Sequence, residues 1–204
     1  MGNKYKGMKG DWLGIAFRTG NIRYLQDDAI MGLTFGEYVH CEVIIGKDED
    51  GKAYGAFQGA GGFMPSGNKH TYPDAGGFMP SGNKHTYPEW TLFTMPLKNP
   101  TQVRGLFLHM LSLKIPYNYA DLWQCCIPTL LPWETELNCE DPVTWNHKGV
   151  FCSQVALLIL RRLARLDAIE CPCNTRQLVE AFHSRGCSPN ALFGLLSRET
   201  RRVF

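Results

Sequence analysis

The sequence lacks three features that mark common classes of protein. No apolar run reaches the roughly 18 residues that a membrane-spanning helix needs, so we expect no transmembrane segment. An excess of one charge is also missing, because 21 Lys and Arg face 19 Asp and Glu, a net charge of +2. Nucleic-acid-binding domains usually carry a strongly basic face, so we expect no nucleic-acid partner. The first residues lack the apolar core of a secretory leader, which favours a cytoplasmic location.

Size and cysteine content narrow the class further. The 204 residues are 44% hydrophobic, enough for one sizeable core, so we expect a single domain over 1–204. Eight cysteines could form a disulfide framework, but without a leader we expect thiols in a reducing compartment. One group leaves a zinc-binding interaction module open as an alternative, although its spacing is not that of a standard finger: Cys171, Cys173, His183 and Cys187.

Segments typical of strands fill the first half of the chain, and segments typical of helices fill the second. Short runs rich in aromatic and β-branched residues predict strands over 12–18, 37–46, 52–59 and 90–97. Apolar periodicity predicts helices over 101–114, about 151–166, 175–186 with Thr175 as N-cap, and from near Asn190. Strands followed by helices indicate an α+β fold with an antiparallel sheet.

A direct repeat separates the third and fourth predicted strands. AGGFMPSGNKHTYPD (60–74) is followed at once by AGGFMPSGNKHTYPE (75–89). Two Gly- and Pro-rich copies are too few for a solenoid, and lengthening a surface loop costs little closure entropy. We therefore predict a loop insertion over 60–89, either passive or acting as a lid on a substrate. His70 and His85 are copies of one another, so neither is expected to be a uniquely placed catalytic group.

Cys152 begins the predicted helix in VFCSQVALLILRRLARL (150–166). Unpaired backbone N–H groups and the dipole at a helix start stabilise a thiolate, which is the nucleophilic form of cysteine. The alternative is a small buried hydrophobe, because free cysteines are often buried and Val155 and Leu158 nearby should pack in the core. These features alone leave both interpretations open.

A thiolate nucleophile needs a base, usually histidine, and a group that orients the base. In VHCEVII, His40 and Glu42 share one face of the strand, and Cys41 lies on the other. Two residues along a strand span about 6–7 Å, so the carboxylate should lie beside the imidazole and stabilise its charged form. A solvated pair on a half-exposed strand is the alternative, and His147, five residues before Cys152, is a rival base.

Four short motifs occur in an order that resembles a known family. The first two motifs are H-x-E on a predicted strand and, more than a hundred residues later, FCSQ at the start of a hydrophobic helix. The other two motifs are GDWLGIAF (10–17) and KIPYNYADLWQC (114–125). This order resembles the circularly permuted papain-like cysteine hydrolases, the YiiX-like relatives of NlpC peptidases and lecithin:retinol acyltransferases. Gln154 departs from the glutamate common in that family, and the 60–89 insertion is foreign to its pattern.

The resemblance implies a permuted papain-like fold, with an antiparallel sheet packed on the nucleophile-bearing helix. We expect extra helices in a 167–204 extension, which has no counterpart in the family pattern. It implies that Cys152 attacks, His40 acts as base and Glu42 orients the base, on an amide, thioester or ester acyl bond. The substrate class is a peptide, an amide-containing compound or an acyl lipid, which Tyr117 or Tyr119 would contact. No metal or organic cofactor is implied. A non-catalytic papain-like binding scaffold is the alternative, because a fold does not guarantee a function.

Overall fold

The computed structural model describes residues 10–47, 52–59, 62–66, 89–113, 115–118, 137–171, 173–182 and 187–200. Within these ranges the strands are β1 (Asp11–Thr19), β2 (Tyr38–Lys47), β3 (Lys52–Gly59), β4 (Gly62–Ser66) and β5 (Trp90–Pro96). The helices are α1 (Leu25–Thr34), α2 (Pro100–Ser112), α3 (Val143–Lys148), α4 (Cys152–Arg165), α5 (Cys173–Ala181) and α6 (Pro189–Thr200). None of the described helices combines the length and the apolar character that a membrane span requires.

The five strands form one sheet in the order β4-β3-β2-β1-β5, and every neighbouring pair is antiparallel. The predicted α+β class with an antiparallel sheet is therefore confirmed. β1 lies between β2 and β5, so both of its edges are paired, and apolar clusters bury its two faces. β1 therefore connects β5 to the other three strands of the sheet.

The two faces of the sheet carry two separate apolar clusters. Alternate residues of β1 and β2 face the main core, which also contains most of α4 and parts of α2 and α6. The opposite face carries a smaller cluster of Trp12, Ala16, Ile44 and Trp90. Because side chains alternate along a strand, one residue of slip would exchange these two sets, so burial on both faces fixes the register.

Helix α4 is the most deeply buried helix of the described chain. Every residue from Cys152 to Arg161 is buried, including the polar Ser153 and Gln154. Its apolar residues pack against β2 in the main core, as the sequence pattern of 151–166 predicts. The start of α4 is therefore held against the sheet rather than projecting into solvent.

The Asn190 side chain hydrogen-bonds α6 to the start of β2. The side-chain oxygen of Asn190 accepts a hydrogen bond from the Tyr38 backbone N–H at 2.9 Å, and its amide nitrogen donates to the Tyr38 carbonyl, also at 2.9 Å. The same nitrogen donates to the Thr34 hydroxyl at 2.6 Å. Asn190 thus pairs with β2 as a neighbouring strand would, two residues before His40.

Three sequence-based expectations need correction. Residues 62–66 of the first repeat copy form β4 and pair with β3, so this part of the predicted loop is a strand. The helix predicted over 175–186 begins at Cys173, so Thr175 lies inside it and is not its N-cap. Helices α1 and α3 were not predicted, because α1 buries only Asp27 and Ile30 and α3 has only 6 residues, too short for a visible period. Gly186, the predicted end of the third helix, lies outside the described residues.

Candidate active site

The start of α4 lies beside an edge segment of β2. Within the described residues, β1 pairs with β2 along its whole length, whereas β3 pairs only with Val43 to Lys47. The segment from His40 to Glu42 therefore has a strand neighbour on one side only. The sulfur of Cys152 occupies the other side, where it accepts a hydrogen bond from the backbone N–H of Cys41. The first residue of α4 thus takes a position that a paired strand would otherwise fill.

This position brings the three predicted catalytic side chains together. The Nε2 atom of His40 lies 3.4 Å from the Oε1 atom of Glu42. The His40 imidazole also hydrogen-bonds with the Cys152 side chain. The edge of the Trp90 indole ring flanks the imidazole, with ring centroids 6.3 Å apart.

Cys41 is a further contact of the sulfur that the sequence analysis did not find. Its side chain and its backbone N–H both hydrogen-bond with Cys152. The alternation of side chains places Cys41 on the face opposite His40, so the strand pattern does not group Cys41 with the predicted catalytic residues. At a strand edge, however, a single sulfur can touch both faces, because it sits beside the backbone rather than above it. The feature of the sequence that could have indicated this contact is that Cys41 directly follows His40.

The contacts of the sulfur favour a thiolate–imidazolium pair. The hydrogen bond from the Cys41 side chain lowers the pKa of Cys152, and the contacts with His40 and the Cys41 N–H lower it further. Burial acts in the opposite direction, but the pKa of Cys152 stays well below its ordinary value. Burial alone would lower the pKa of His40, but the negative sulfur, its hydrogen bond and Glu42 together raise that pKa to about 9. At pH values between the lowered pKa of Cys152 and the raised pKa of His40, Cys152 carries a negative charge and His40 a positive charge.

The residues before α4 set the direction in which Cys152 enters the helix. Gly149 has φ 71° and ψ 170°, a conformation that is essentially restricted to glycine. Val150 then pairs with Tyr117 in a short parallel bridge, and its N–H donates to the carbonyl of Pro116 at 3.1 Å. Phe151 follows in extended conformation, and its N–H donates to the Gln154 side chain at 3.4 Å. The conformation of this turn therefore fixes the position of Cys152 at the start of α4.

The C-terminal part of the chain also supports this helix start. Ser153 donates a hydrogen bond from its hydroxyl to the carbonyl of Cys187 at 2.6 Å, and both residues are buried. Tyr117 packs near Phe151 in a small cluster with Ile30 and Val39. Tyr117 therefore lies next to the nucleophile turn, and its partly buried ring packs against the core. Tyr119 lies outside the described residues.

The three predicted catalytic side chains differ in their access to solvent. The His40 side chain is 18% exposed and that of Glu42 is 3% exposed. Cys152 is 2% exposed and belongs to the main core cluster. The alternative of a small buried hydrophobe thus describes its burial correctly, but a purely apolar role does not account for its hydrogen bonds to His40 and Cys41. His40 is therefore the more exposed member of the Cys152–His40 pair.

The other candidates are placed less completely. His147 belongs to α3 rather than to a loop, and its side chain lies outside the described residues. His183, His70 and His85 also lie outside them. Among the residues that the structure describes, no group of three or more His, Cys, Asp or Glu side chains is arranged to hold a metal ion. The proposed zinc group includes His183, so this finding covers only part of it.

The chain was also compared with known proteins. No protein-family model matches it, and neither curated proteins nor solved structures gave a match.

Proposed function

We propose that this chain is a cysteine-nucleophile hydrolase or acyltransferase that acts on an amide, thioester or ester acyl bond. The observation that carries this proposal is the contact of Cys152 with His40, which in turn lies 3.4 Å from Glu42. A nucleophile, a base and an orienting carboxylate in this order are the arrangement that covalent acyl transfer requires. The resemblance to permuted papain-like hydrolases points to the same three residues.

In the proposed reaction the Cys152 thiolate attacks the carbonyl carbon of the acyl bond. The protonated His40 then gives its proton to the leaving amine, thiol or alcohol as the bond breaks, which leaves an acyl group on the sulfur. Neutral His40 next removes a proton from water or from a second acceptor, and that nucleophile releases the acyl group. Glu42 keeps the imidazole oriented and stabilises its charge throughout. The backbone N–H of Cys152 at the helix start is the proposed donor to the oxyanion.

The burial of the site bears on the size of the substrate. Because Cys152 is 2% exposed and His40 is the more accessible member of the pair, we infer that an acyl group approaches past the imidazole. A slender acyl chain fits this requirement better than a folded polypeptide does. We therefore expect a small electrophile such as iodoacetamide to label Cys152 faster than a bulky aryl maleimide does, relative to the rates with a free thiol.

The test measures which cysteine reacts, and how fast. Native protein is treated with iodoacetamide at pH 6, and the labelled residue is identified by peptide mapping. We expect Cys152 to react before the other seven cysteines. His40→Ala should slow this reaction about tenfold or more, because the thiol would regain an ordinary pKa, and Glu42→Gln should slow it less. His109→Ala is the matched control, since His109 is exposed on α2 and should leave the rate unchanged.

Acyl transfer itself is tested with short acyl thioesters and p-nitrophenyl esters. We expect release of the leaving group to be lost in Cys152→Ala, and mass spectrometry should detect the acyl group on Cys152. Equal labelling of several cysteines, together with hydrolysis that survives Cys152→Ala, would contradict the proposal and favour the binding scaffold. Stoichiometric zinc in the purified protein would instead favour the interaction module.

A further inference from the structure

We propose that Cys41 and Cys152 form a reversible intramolecular disulfide when the protein meets a hydroperoxide, which makes the pair a site of oxidative modification. The proposal starts from a direct contact, because the Cys41 side chain hydrogen-bonds with the Cys152 sulfur. Both residues are thiols in the present structure. They lie in one buried cluster, Cys41 1% and Cys152 2% exposed. A hydrogen bond between two cysteine side chains means that the sulfurs are in contact, which is the first geometric requirement for a disulfide.

The two sulfurs also differ in protonation, as the reaction requires. Cys152 is held as a thiolate by its contacts with Cys41 and His40, and a thiolate is the form that peroxide oxidises. Burial, together with the hydrogen bond to Cys152 and its charge, raises the pKa of Cys41 well above its ordinary value, so Cys41 keeps its proton. One sulfur is therefore ready to be oxidised, and the other carries the proton needed in the next step.

The proposed reaction has two balanced steps. The Cys152 thiolate attacks one oxygen of the hydroperoxide; the O–O bond breaks, and the leaving oxygen takes the proton of the His40 imidazolium. The product is a sulfenic acid on Cys152 and a molecule of water or alcohol. The Cys41 sulfur then attacks the Cys152 sulfur, an S–S bond forms, and the S–O bond breaks. The departing hydroxide takes the Cys41 proton and leaves as a second water. Two thiols are oxidised and one hydroperoxide is reduced.

Cys139 and Cys187 are the other buried cysteines of the described chain. The charges that act on the Cys139 thiol include those of Arg165, Glu180 and Glu140. Cys187 lies close enough to Cys41 for its charge to act on that thiol. It is therefore the main competitor for Cys41, whereas Cys41 is the hydrogen-bonded neighbour of Cys152. The disulfide is thus expected between Cys41 and Cys152 rather than between Cys41 and Cys187.

The experiment needs no substrate, so its outcome is independent of the proposed acyl chemistry. Reduced native protein is treated with equimolar hydrogen peroxide, remaining thiols are blocked with N-ethylmaleimide, and the protein is digested without reductant. We expect an intact mass lower by two hydrogen atoms before blocking, and a linked peptide that joins Cys41 to Cys152. Iodoacetamide labelling of Cys152 should be lost in step with the linked peptide and should return fully after dithiothreitol.

Variants then separate this pair from general oxidation. Cys41→Ser and Cys41→Ala should both abolish the linked peptide, and Cys152 should instead proceed to the sulfinic acid, which dithiothreitol does not reverse. Cys139→Ser is the matched control and should give the same linked peptide as the unchanged chain. If the linked peptide joins Cys41 to Cys187, or if Cys152 in the unchanged chain becomes sulfinic acid without any disulfide, the proposal is overturned. The map of the unchanged chain gives this answer even if a Cys41 variant does not fold.

Discussion

At the scale of single residues, the unusual feature is a charged sulfur inside an apolar core. A buried charge is costly unless charged and hydrogen-bonding partners surround it. Cys152 has such partners in His40 and in the thiol and N–H of Cys41. Without these contacts the side chain would be a small hydrophobe among Leu and Val residues. The proposed reactivity of Cys152 therefore depends on its neighbours as well as on the cysteine itself.

The sequence predicts part of this arrangement and misses part. The closeness of His40 to Glu42 follows from strand alternation, and the structure places their side chains 3.4 Å apart. The meeting of His40 with Cys152 could not be derived from local pattern, because more than a hundred residues separate them; only the family resemblance indicated it. Cys41 was missed because alternation describes the faces of a sheet and says nothing about a group beside its edge.

The charges of the pair predict a pH profile. Cys152 stays a thiolate well below the ordinary cysteine pKa of about 8.5, so iodoacetamide labelling of Cys152 should persist at acidic pH, where ordinary thiols are protonated and slow. His40 must be protonated to donate to the leaving group, and its pKa is about 9. Turnover of an acyl thioester should therefore fall as pH rises through about 9. Rates measured from pH 4 to 11 test both limbs.

Two outcomes would contradict this profile. Labelling of Cys152 that follows the same titration as an exposed cysteine would mean that the sulfur is a neutral thiol. Loss of turnover near the ordinary histidine pKa of about 6.5 would mean that His40 is not stabilised by the sulfur. The His109→Ala variant should reproduce the unchanged profile, because His109 is an exposed residue of α2.

At the scale of secondary-structure elements, the turn before α4 determines where the nucleophile lies. Gly149 adopts a conformation open essentially to glycine alone. A Cβ atom at this position would also lie 2.9 Å from the carbonyl oxygen of Pro116 and 3.2 Å from the side chain of Asn118. This carbonyl accepts the Val150 N–H that anchors the turn. A side chain at 149 would therefore push apart the two segments that aim the start of α4.

We predict that Gly149→Ala destabilises the protein by about 1–3 kcal/mol, the cost of a non-glycine residue in such a conformation. It should also slow iodoacetamide labelling of Cys152 in the protein that remains folded, because the helix start moves away from His40. Urea unfolding measures the first effect as a lower midpoint at an unchanged slope.

Gly105→Ala supplies a matched control on α2. A Cβ atom at Gly105 meets nothing within 4 Å, so alanine should stabilise the helix by up to about 1 kcal/mol and leave labelling unchanged. Equal effects of the two substitutions would show that the conformation of Gly149 is not a constraint.

The elements differ in how readily the sequence reveals them. The helix at 152–165 has a continuous apolar period and was predicted within a residue or two. Helix α1 makes contact mainly through Ile30 and through Asp27, which accepts two hydrogen bonds from Arg18 at 3.0 and 3.2 Å. A polar anchor of this kind leaves no periodic apolar pattern. β4 was missed because its sequence, GFMPS, contains the Gly and Pro that usually mark loops.

At the scale of the whole molecule, the sheet order sets a length requirement. β4 and β5 lie at opposite edges and, through the antiparallel pairs between them, run in the same direction. Four strand spacings of about 4.8 Å separate the edges. Following the paired residues across the sheet, Ser66 of β4 lies at the same height along the strands as Thr94 of β5. Trp90 lies four residues earlier on β5, about 13 Å away along the strand direction. The straight distance is about 23 Å, and any path must pass around the strands.

We predict that deleting 75–89, one copy of the repeat, destabilises the protein by several kcal/mol or unpairs β4. The eight residues left between Ser66 and Trp90 reach at most about 30 Å, so they would have to be almost fully extended around the sheet. Fixing each residue costs about 1 kcal/mol of backbone entropy. Urea unfolding measures the loss, and hydrogen exchange of β3 reports on the pairing of β4.

Replacing 75–89 by a Gly/Ser linker of equal length separates length from sequence. If the connection needs only reach, this variant should keep the stability of the unchanged chain to within about 1 kcal/mol. A deletion variant as stable as the unchanged chain would refute the length requirement. A linker variant as weak as the deletion would show instead that the second copy contributes specific contacts.

The central position of β1 has a consequence for biosynthesis. β1 leaves the ribosome well before its neighbour β5, which begins at Trp90, and before the helix that covers its apolar face, which begins at Cys152. A nascent chain therefore exposes an uncovered strand through most of translation, which favours chaperone binding or aggregation. In the same order of synthesis, Cys152 can meet His40 only after α4 has been made. A stalled or truncated chain that ends before α4 would carry the proposed base without the proposed nucleophile.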